Sequence, residues 1–229
     1  MSKHPKNKNL EQILVVPAVR LFDNINRWNG LWFGAPDEFE RQVKSFGRFE
    51  MRGLMETNEQ YKQLIPYIVL RHQDHIFVMQ RRDDATETRL RSKMSIGVGG
   101  HIQPSDINDV SQFSLHSLNW ATRELNEEID GCEILSARLV GMINDETTGV
   151  GRVHCGVMYE VILTHDQISI KSEHKTGRFM SIAECFEQYE HMESWSQIAL
   201  DQLKGSTFLQ EITGAHKMKS PTPENILPK

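Results

Sequence analysis

Short apolar runs separated by polar turns predict the strands of this chain. Residues 14–19 form the first run, and the runs at 67–70 and 76–79 flank a polar turn, which predicts a β-hairpin. Further strands are predicted at residues 95–102, where three glycines interrupt the run, at about 135–143, and at about 153–163.

Helices are predicted between these runs. Residues 36–47 form a short helix that begins at a proline and is closed by a glycine, and about 111–129 form a longer one. Ser181 and Glu184 make a possible capping box, and a last helix covers about 194–203. Strands and helices therefore interleave, which predicts a mixed α/β sandwich instead of the regular alternation of a doubly wound sheet.

Composition narrows the class of protein. The 229 residues are 38% hydrophobic and 25% charged, which suits a globular core, and the net charge of −5 argues against a protein that coats nucleic acid. No apolar run approaches the roughly 20 residues of a membrane helix. The three cysteines are far apart and lack metal-site spacing, so we expect reduced thiols in a cytoplasmic protein: Cys132, Cys155 and Cys185.

Three carboxylates cluster near the end of the predicted long helix. Glu127 and Glu128 follow Glu124 by three and four positions, so all three lie on one helix face, where they repel one another. A divalent cation would offset that repulsion, because carboxylate oxygens are ligands that Mg²⁺ and Mn²⁺ prefer. Arg123 could hold one of the carboxylates by a forked hydrogen bond. The alternative is an ordinary solvated acidic face.

The glycine-rich stretch adds weight to the metal interpretation. Glycines weaken a strand unless its backbone must come close to something. At residues 95–102 they would let the backbone approach a metal or a phosphate, and a bulge or sharp bend is the alternative.

Together, the two stretches resemble the Nudix box, whose pattern is G-x5-E-x7-R-E-U-x-E-E-x-G-U, where U is apolar. Gly100 matches the first glycine, and Arg-Glu-Leu-Asn-Glu-Glu at residues 123–128 matches R-E-U-x-E-E at every position. The resemblance implies a metal-binding set for Mg²⁺ or Mn²⁺ that consists of Gly100, Glu124, Glu127 and Glu128.

The chain departs from the box in three ways. About nine extra residues separate the first glycine from the arginine. The early glutamate has no clear counterpart, because Asp106 has the right spacing from the glycine whereas Leu115 has the right spacing from the arginine. Asp130 replaces the late glycine, and Gly131 follows it. The departures suggest a subgroup with a longer loop before the helix.

The resemblance also implies a fold and a domain organisation. It extends over roughly residues 64–203 and implies the Nudix α/β/α sandwich with a mixed sheet and an N-terminal extension. The whole chain looks most like uncharacterised bacterial proteins described as predicted phosphoesterases of the Nudix superfamily. The expected division is a tail, an extension packed on the core, the Nudix domain and a second tail, at residues 1–9, 10–63, 64–214 and 215–229.

Basic residues are candidates for binding substrate. Several lie between the hairpin and the glycine-rich stretch, where they could form a phosphate-binding rim or a solvated loop balanced by nearby acids. The loop at residues 145–154 could line the pocket or be a plain hairpin loop. The substrate-binding candidates are Arg82, Arg91, Lys93 and Arg152.

The resemblance implies a reaction that needs a general base. The candidates for the base are Glu173, on a loop after the 153–163 strand, and the box carboxylates Glu127 and Glu128. With Arg123 holding the carboxylates, these four complete the catalytic set.

The expected function is metal-dependent hydrolysis of a phosphoanhydride bond in a nucleoside diphosphate linked to another group, by a cytoplasmic homodimer that binds neither nucleic acid nor membrane. One alternative is a non-catalytic Nudix-fold module that senses a nucleotide-derived ligand. The other is a Nudix-type isomerase of an allylic diphosphate, for which Cys155 would be the candidate catalytic cysteine.

Overall fold

The fold is built from twelve strands and seven α-helices in the part of the chain that the computed structural model describes, residues 7–23, 25–81, 93–172 and 175–205. The strands are β1 (Gln12–Pro17), β2 (Gly30–Trp32), β3 (Arg48–Met51), β4 (Tyr61–His72), β5 (His75–Arg81), β6 (Met94–Ser95), β7 (Gly97–Val98), β8 (Ile129–Asp130), β9 (Ile134–Asn144), β10 (His154–Leu163), β11 (Ser169–Ile170) and β12 (Lys175–Ser181). The α-helices are α1 (Ala18–Leu21), α2 (Pro36–Phe46), α3 (Arg52–Met55), α4 (Thr122–Glu128), α5 (Gly149–Val153), α6 (Ile182–Glu187) and α7 (Ser194–Gly205).

Strand β4 organises the main sheet. It runs parallel to β10 and antiparallel to β5, β7 and β1, so the sheet is mixed. The main path is β12-β5-β4-β10-β9-β2, while β3 extends the sheet beyond β1 and β6 pairs with β5. A separate ladder joins β8 to β11. The predicted hairpin is confirmed as β4 and β5, and the two later predicted strands are confirmed as β9 and β10.

The two faces of the sheet support two apolar cores. Along β4, Leu64, Ile68 and Leu70 contribute to one core, whereas Tyr67 and Val69 contribute to the other. This alternation follows from the two-residue period of a strand. Helix α2 and the segment between β7 and α4 cover the first face, and α7 covers the second. The predicted α/β/α arrangement is therefore confirmed.

The N-terminal part of the chain belongs to the first core. Leu14 and Val16 on β1, and Phe39 and Val43 on α2, are fully buried in it. The helix predicted at residues 36–47 is confirmed as α2. Pro36 occupies its first turn, where the missing N–H costs nothing, and Gly47 follows its last residue.

The prediction of a long helix over residues 111–129 was wrong. Only α4 is α-helical there, after a short 3-10 turn at Val110–Gln112. The reason is local, because Asp109, Ser114 and Ser117 each accept a hydrogen bond from a backbone N–H two residues ahead. Such bonds offer the backbone an alternative to the helix.

Three smaller boundaries also differ from the prediction. The first strand ends at Pro17, where α1 begins, and the glycine-rich stretch forms only the short strands β6 and β7. The loop predicted at residues 145–154 contains the short helix α5, which Thr148 caps by accepting a hydrogen bond from Gly151 N. Within the described residues, no helix has the length and apolar character needed to cross a bilayer.

Candidate functional site

The first residue of the acidic cluster is held against the glycine-rich stretch. The carboxyl group of Glu124 lies so close to Gly100 that a Cβ added there would be 2.2 Å from Glu124 Cδ. At Gly99 an added Cβ would be 2.1 Å from the carbonyl oxygen of Pro66. Both glycines therefore allow a close approach. At Gly99 the approaching group is the backbone of a neighbouring strand, whereas at Gly100 it is the end of a flexible side chain.

Arg123 ties the acidic cluster to the preceding loop. Its Nε and Nη2 atoms donate to the two carboxylate oxygens of Asp106 at 2.6 and 2.9 Å, and Nη2 also donates to the carbonyl oxygen of His101 at 2.8 Å. The guanidinium also contacts Glu124 at 2.8 Å and Glu127 at 3.0 Å. The forked hydrogen bond expected of Arg123 is therefore made to Asp106, which lies outside the helix.

This arrangement shifts the pKa values of Arg123 and Glu124. Burial lowers the pKa of Arg123, but the hydrogen bond to Asp106 and the neighbouring carboxylates outweigh it, so the pKa is raised overall. Burial raises the pKa of Glu124, Arg123 opposes the rise, and the charges of Glu127 and Glu128 add to it. Burial therefore disfavours the ionised carboxylate of Glu124 despite its contact with Arg123, and a further positive charge beside it would be stabilising.

Glu128 is paired with a lysine from another element. The ammonium of Lys175, the first residue of β12, lies 2.6 and 2.5 Å from the two carboxylate oxygens of Glu128. Both side chains are mostly buried, with 19% and 24% of their surface exposed. The pair joins the C-terminal end of α4 to the edge strand of the sheet.

Lys171, four residues before Lys175, is attached to the same end of α4. The N–H of Lys171 donates to the carbonyl oxygen of Glu128 at 2.9 Å, and its ammonium donates to that of Asn126 at 2.7 Å. The ladder between β8 and β11 continues this attachment. These bonds satisfy carbonyl groups that a helix end leaves without partners.

A cavity of about 170 Å³ opens beside Glu128. Its wall combines apolar and aromatic side chains with two lysines and two glutamates, which is the mixture expected of a site for an organic anion. The lining residues are Ile65, Tyr67, Met79, Gln80, Lys93, Ser95, Gly97, Gly99, Glu128, Lys175, Glu193 and Trp195.

Two histidines pack behind the glycine-rich stretch. Gln63 Nε2 donates to Met55 O, so Gln63 Oε1 accepts from His101 Nε2 at 2.7 Å. His154 Nδ1 donates to Val150 O at 2.7 Å, which leaves its Nε2 as an acceptor 3.4 Å from His101 Nε2. Burial lowers the pKa of His101 to about 2 and also lowers that of His154. This network keeps both rings neutral.

Comparisons with known proteins identify the family. No protein-family model matches the chain. Protein YmaB of Bacillus subtilis (strain 168) is 32% identical over 208 residues, which are 85% of this chain and 98% of YmaB. The crystal structure of Tm1382, described as "a putative Nudix hydrolase", is 27% identical, with a TM-score of 0.72 over 84% of this chain and 98% of that one. The chain belongs to the Nudix superfamily.

The structure distinguishes the two residues that could take the early acidic position of the box. Asp106, six positions after Gly100, carries the carboxylate that contacts the box arginine, whereas Leu115 is fully buried in the first core. The extra residues of this Nudix box therefore fall between Asp106 and Arg123.

The predicted substrate-binding residues occupy different places. Lys93 lines the cavity, and its ammonium donates to Glu190 O at 2.9 Å. Arg152 lies on α5, where it forms an exposed ion pair with Glu59 at 2.7 Å, and it is not among the cavity-lining residues that the structure describes. Arg82, Arg91 and Glu173 lie outside the described residues.

The cavity also contains residues that the sequence did not single out. Lys175 and Glu193 had no motif to mark them, and Tyr67 was counted only as part of a strand. The ring of Trp195 contacts Tyr67 edge to face with centroids 5.7 Å apart, and it also lines the cavity. Cys155 is fully buried in the first core, away from the lining, and burial raises its pKa to about 12.

The donor set has the chemistry of a Mg²⁺ or Mn²⁺ site. Among the described residues, no three acidic, histidine or cysteine side chains stand together as a ready-made metal site. The reason is visible in the acidic cluster, since Glu127 turns to Arg123 and Glu128 turns to Lys175. These carboxylates are hard oxygen donors, which suit a divalent ion. They would converge on one ion after the side chains rotate away from Arg123 and Lys175.

Proposed function

We propose that this protein is a metal-dependent Nudix hydrolase that cleaves a phosphoanhydride bond in a nucleoside diphosphate linked to another group. The observation that carries the proposal is the position of the acidic end of α4. Glu124 lies against Gly100, while Glu128 opens into a cavity with two lysines and two aromatic rings. Carboxylates for a cation and ammonium groups for phosphate are what a charged diphosphate requires.

The metal would be held by Glu124, Glu127 and Glu128, with the carbonyl oxygen of Gly100 as a further ligand. Mg²⁺ or Mn²⁺ supplies charge that neutralises the diphosphate and makes a water molecule more acidic. Arg123 fixes two of the carboxylates through its contacts with Glu124 and Glu127. Each contact limits the rotations open to a ligand.

The remaining residues would bind substrate and move the proton. Lys93 reaches the cavity, where its ammonium would bind phosphate oxygens, and the ring of Trp195 offers a flat apolar wall to an organic group. Water attacks one phosphorus, the bridging P–O bond breaks, and a carboxylate accepts the proton. Glu173 is proposed as that base, with Glu127 or Glu128 as the alternatives.

A substrate screen tests the proposal. Nucleoside diphosphate derivatives are incubated with the full chain and Mg²⁺ or Mn²⁺, and released monophosphate is followed. The expected result is turnover of at least one compound that stops when the metal is chelated. Tight binding of a nucleotide derivative without turnover would favour the sensing module instead. An isomerase would convert an allylic diphosphate without releasing phosphate.

Two further properties belong to the proposal. We expect the protein to work in the cytoplasm, where its cysteines would stay reduced. Burial raises the pKa of the three thiols, which makes them less reactive: Cys132, Cys155 and Cys185. We also expect a homodimer, and light scattering at micromolar concentration tests that expectation.

A further inference from the structure

Lys175 occupies both oxygens of a carboxylate that the proposed function assigns to the metal. Its ammonium is 2.6 Å from one oxygen of Glu128 and 2.5 Å from the other. Because less than a quarter of either side chain is exposed, water screens this pair poorly. A divalent ion bound to Glu128 would lie close to the Lys175 ammonium, and the two cations would repel each other in this poorly screened place.

Backbone hydrogen bonds of Lys171 and of β12 keep the lysine near Glu128. Helix α4 ends at Glu128, and β8 follows directly and pairs with β11. The chain then returns to the helix end through the hydrogen bond from Lys171 N to Glu128 O. Lys175 itself pairs with Arg81 in the ladder between β12 and β5, so both residues of the ion pair belong to regular secondary structure. Release of the ion pair therefore requires only side-chain rotation.

We propose that Lys175 is an internal counter-cation that a divalent metal ion must displace from Glu128, and that the displaced ammonium then binds the phosphate groups of the substrate. The inference rests on the proposed function. It follows from charge, because the metal brings two positive charges to a place where the lysine supplies one. It also follows from position, because Lys175 lines the same cavity as Lys93 and Glu128.

The proposal differs from a purely structural ion pair in what it predicts for metal affinity. A structural pair contributes to folding, and removal of the lysine would loosen the site and weaken metal binding. A competing counter-cation makes the opposite prediction, because its removal leaves the Glu128 carboxylate without its competitor. A hydrogen-bonded ion pair of this kind is worth enough to change an affinity by roughly tenfold or more.

Calorimetric titration with Mn²⁺ measures this directly on the full chain. Lys175→Met should bind Mn²⁺ about tenfold more tightly than the wild type. Lys171→Met is the matched control, since it removes the same charge from the same segment. Among the described residues, the Lys171 ammonium contacts the carbonyl oxygen of Asn126 and, at 3.8 Å, the carboxylate of Asp130, and the backbone hydrogen bond of Lys171 is kept in the variant. Its Mn²⁺ affinity should stay within about twofold of the wild type.

Chemical labelling measures how accessible the Lys175 ammonium is. An amine-acylating reagent with mass spectrometry should modify Lys175 slowly in the metal-free wild type and several times faster with saturating Mn²⁺. Inorganic pyrophosphate added to the Mn²⁺-loaded protein should slow the labelling again. Lys171 serves as the internal reference, and its labelling should change little.

The outcomes separate this inference from the proposed function. Unchanged or weaker Mn²⁺ binding by a folded Lys175→Met protein, with normal binding by the wild type, overturns the inference and leaves the metal site standing. An acylation rate of Lys175 that is the same with and without Mn²⁺ also overturns the inference, and so does a rate that stays high when pyrophosphate is added. If neither protein binds Mn²⁺ at millimolar concentration, the metal site and the inference both fail.

Discussion

Arg123 is the residue on which the arrangement of the acidic cluster depends. It contacts three carboxylates and one carbonyl group, and its main partner Asp106 is only 3% exposed. Removing one partner of a largely buried pair leaves the other charge without compensation. Arg123 therefore has a structural role, and its contribution to folding stability can be measured apart from catalysis.

We predict that Arg123→Ala lowers the free energy of unfolding by about 3 kcal/mol, because Asp106 would be left as a buried, unpaired charge. Urea unfolding followed by circular dichroism measures the change. Arg152→Ala is the control, since its pair with Glu59 is exposed on both sides and should cost less than about 1 kcal/mol. Equal losses in the two variants would show that Arg123 is an ordinary surface residue.

Gly100→Ala tests the contact between the glycine and Glu124. The added methyl group would push the carboxylate of Glu124 aside, which costs little stability because that carboxylate ends a flexible side chain. We therefore expect a near-normal melting temperature and a Mn²⁺ affinity that falls roughly 10- to 100-fold. Gly149→Ala, where a methyl group would meet only Arg152 at 3.8 Å, should change neither. Normal Mn²⁺ binding by Gly100→Ala would contradict the assigned ligand geometry.

His154 predicts a pH dependence of stability. Burial lowers its pKa, the hydrogen bond to Val150 opposes this, and the charges of Arg52 and Lys62 add to the lowering. The unfolded chain therefore binds the proton first, so the stability present above pH 6.5 is lost as the pH falls below it, by up to about 1.4 kcal/mol at pH 5.5.

Urea unfolding at pH 7.5 and pH 5.5 measures this effect. His154→Gln should show a smaller loss between the two pH values than the wild type, because glutamine does not titrate. His116→Gln removes an exposed histidine and should keep the wild-type loss. A His154→Gln protein with the full acid sensitivity would show that this histidine is protonated in the folded state.

At the scale of elements, periodic patterns were predictable and the inserted segment was not. The hairpin, α2, β9, β10 and α7 have clear apolar periods, and the capping box at Ser181 and Glu184 is confirmed by reciprocal hydrogen bonds. In the inserted segment the buried side chains of Phe113, Leu115 and Trp120 do not share one helical face. Serine and aspartate side chains bind the local backbone there, which ends the helical pattern.

The inserted segment is part of the first core, and this gives a prediction. Trp120 is 4% exposed, packs on Phe113 and Tyr159, and donates from Nε1 to Ser114 O at 2.9 Å. Trp120→Ala should lower the free energy of unfolding by about 3 to 5 kcal/mol through the cavity it leaves. His116→Ala in the same segment should cost less than about 1 kcal/mol because the residue is exposed. Similar values for both would mean that the segment is a detachable loop.

At the scale of the whole molecule, the sequence located the acidic helix but not the cavity beside it. The box motif is local, so its resemblance could single out Glu124, Glu127 and Glu128 as candidates, whereas their spacing alone also suits a solvated acidic face. The cavity joins residues from β4, β7, α4, β12 and the start of α7, which are far apart in the chain. Lys175 and Trp195 belong to the site only because the sheet topology brings β12 and α7 to the end of α4, and no periodic pattern encodes that juxtaposition.

The most direct test of the account is the turnover of Glu127→Gln and Glu128→Gln on a substrate found by the Mn²⁺ screen. Each change keeps side-chain size and removes one metal-binding charge, so both variants should fold normally and hydrolyse roughly a hundred- to a thousandfold more slowly. Glu133→Gln changes an exposed carboxylate between β8 and β9 and should keep wild-type turnover. A Glu127→Gln protein with near-native turnover would contradict the account, because the acidic cluster would then be an ordinary helix surface.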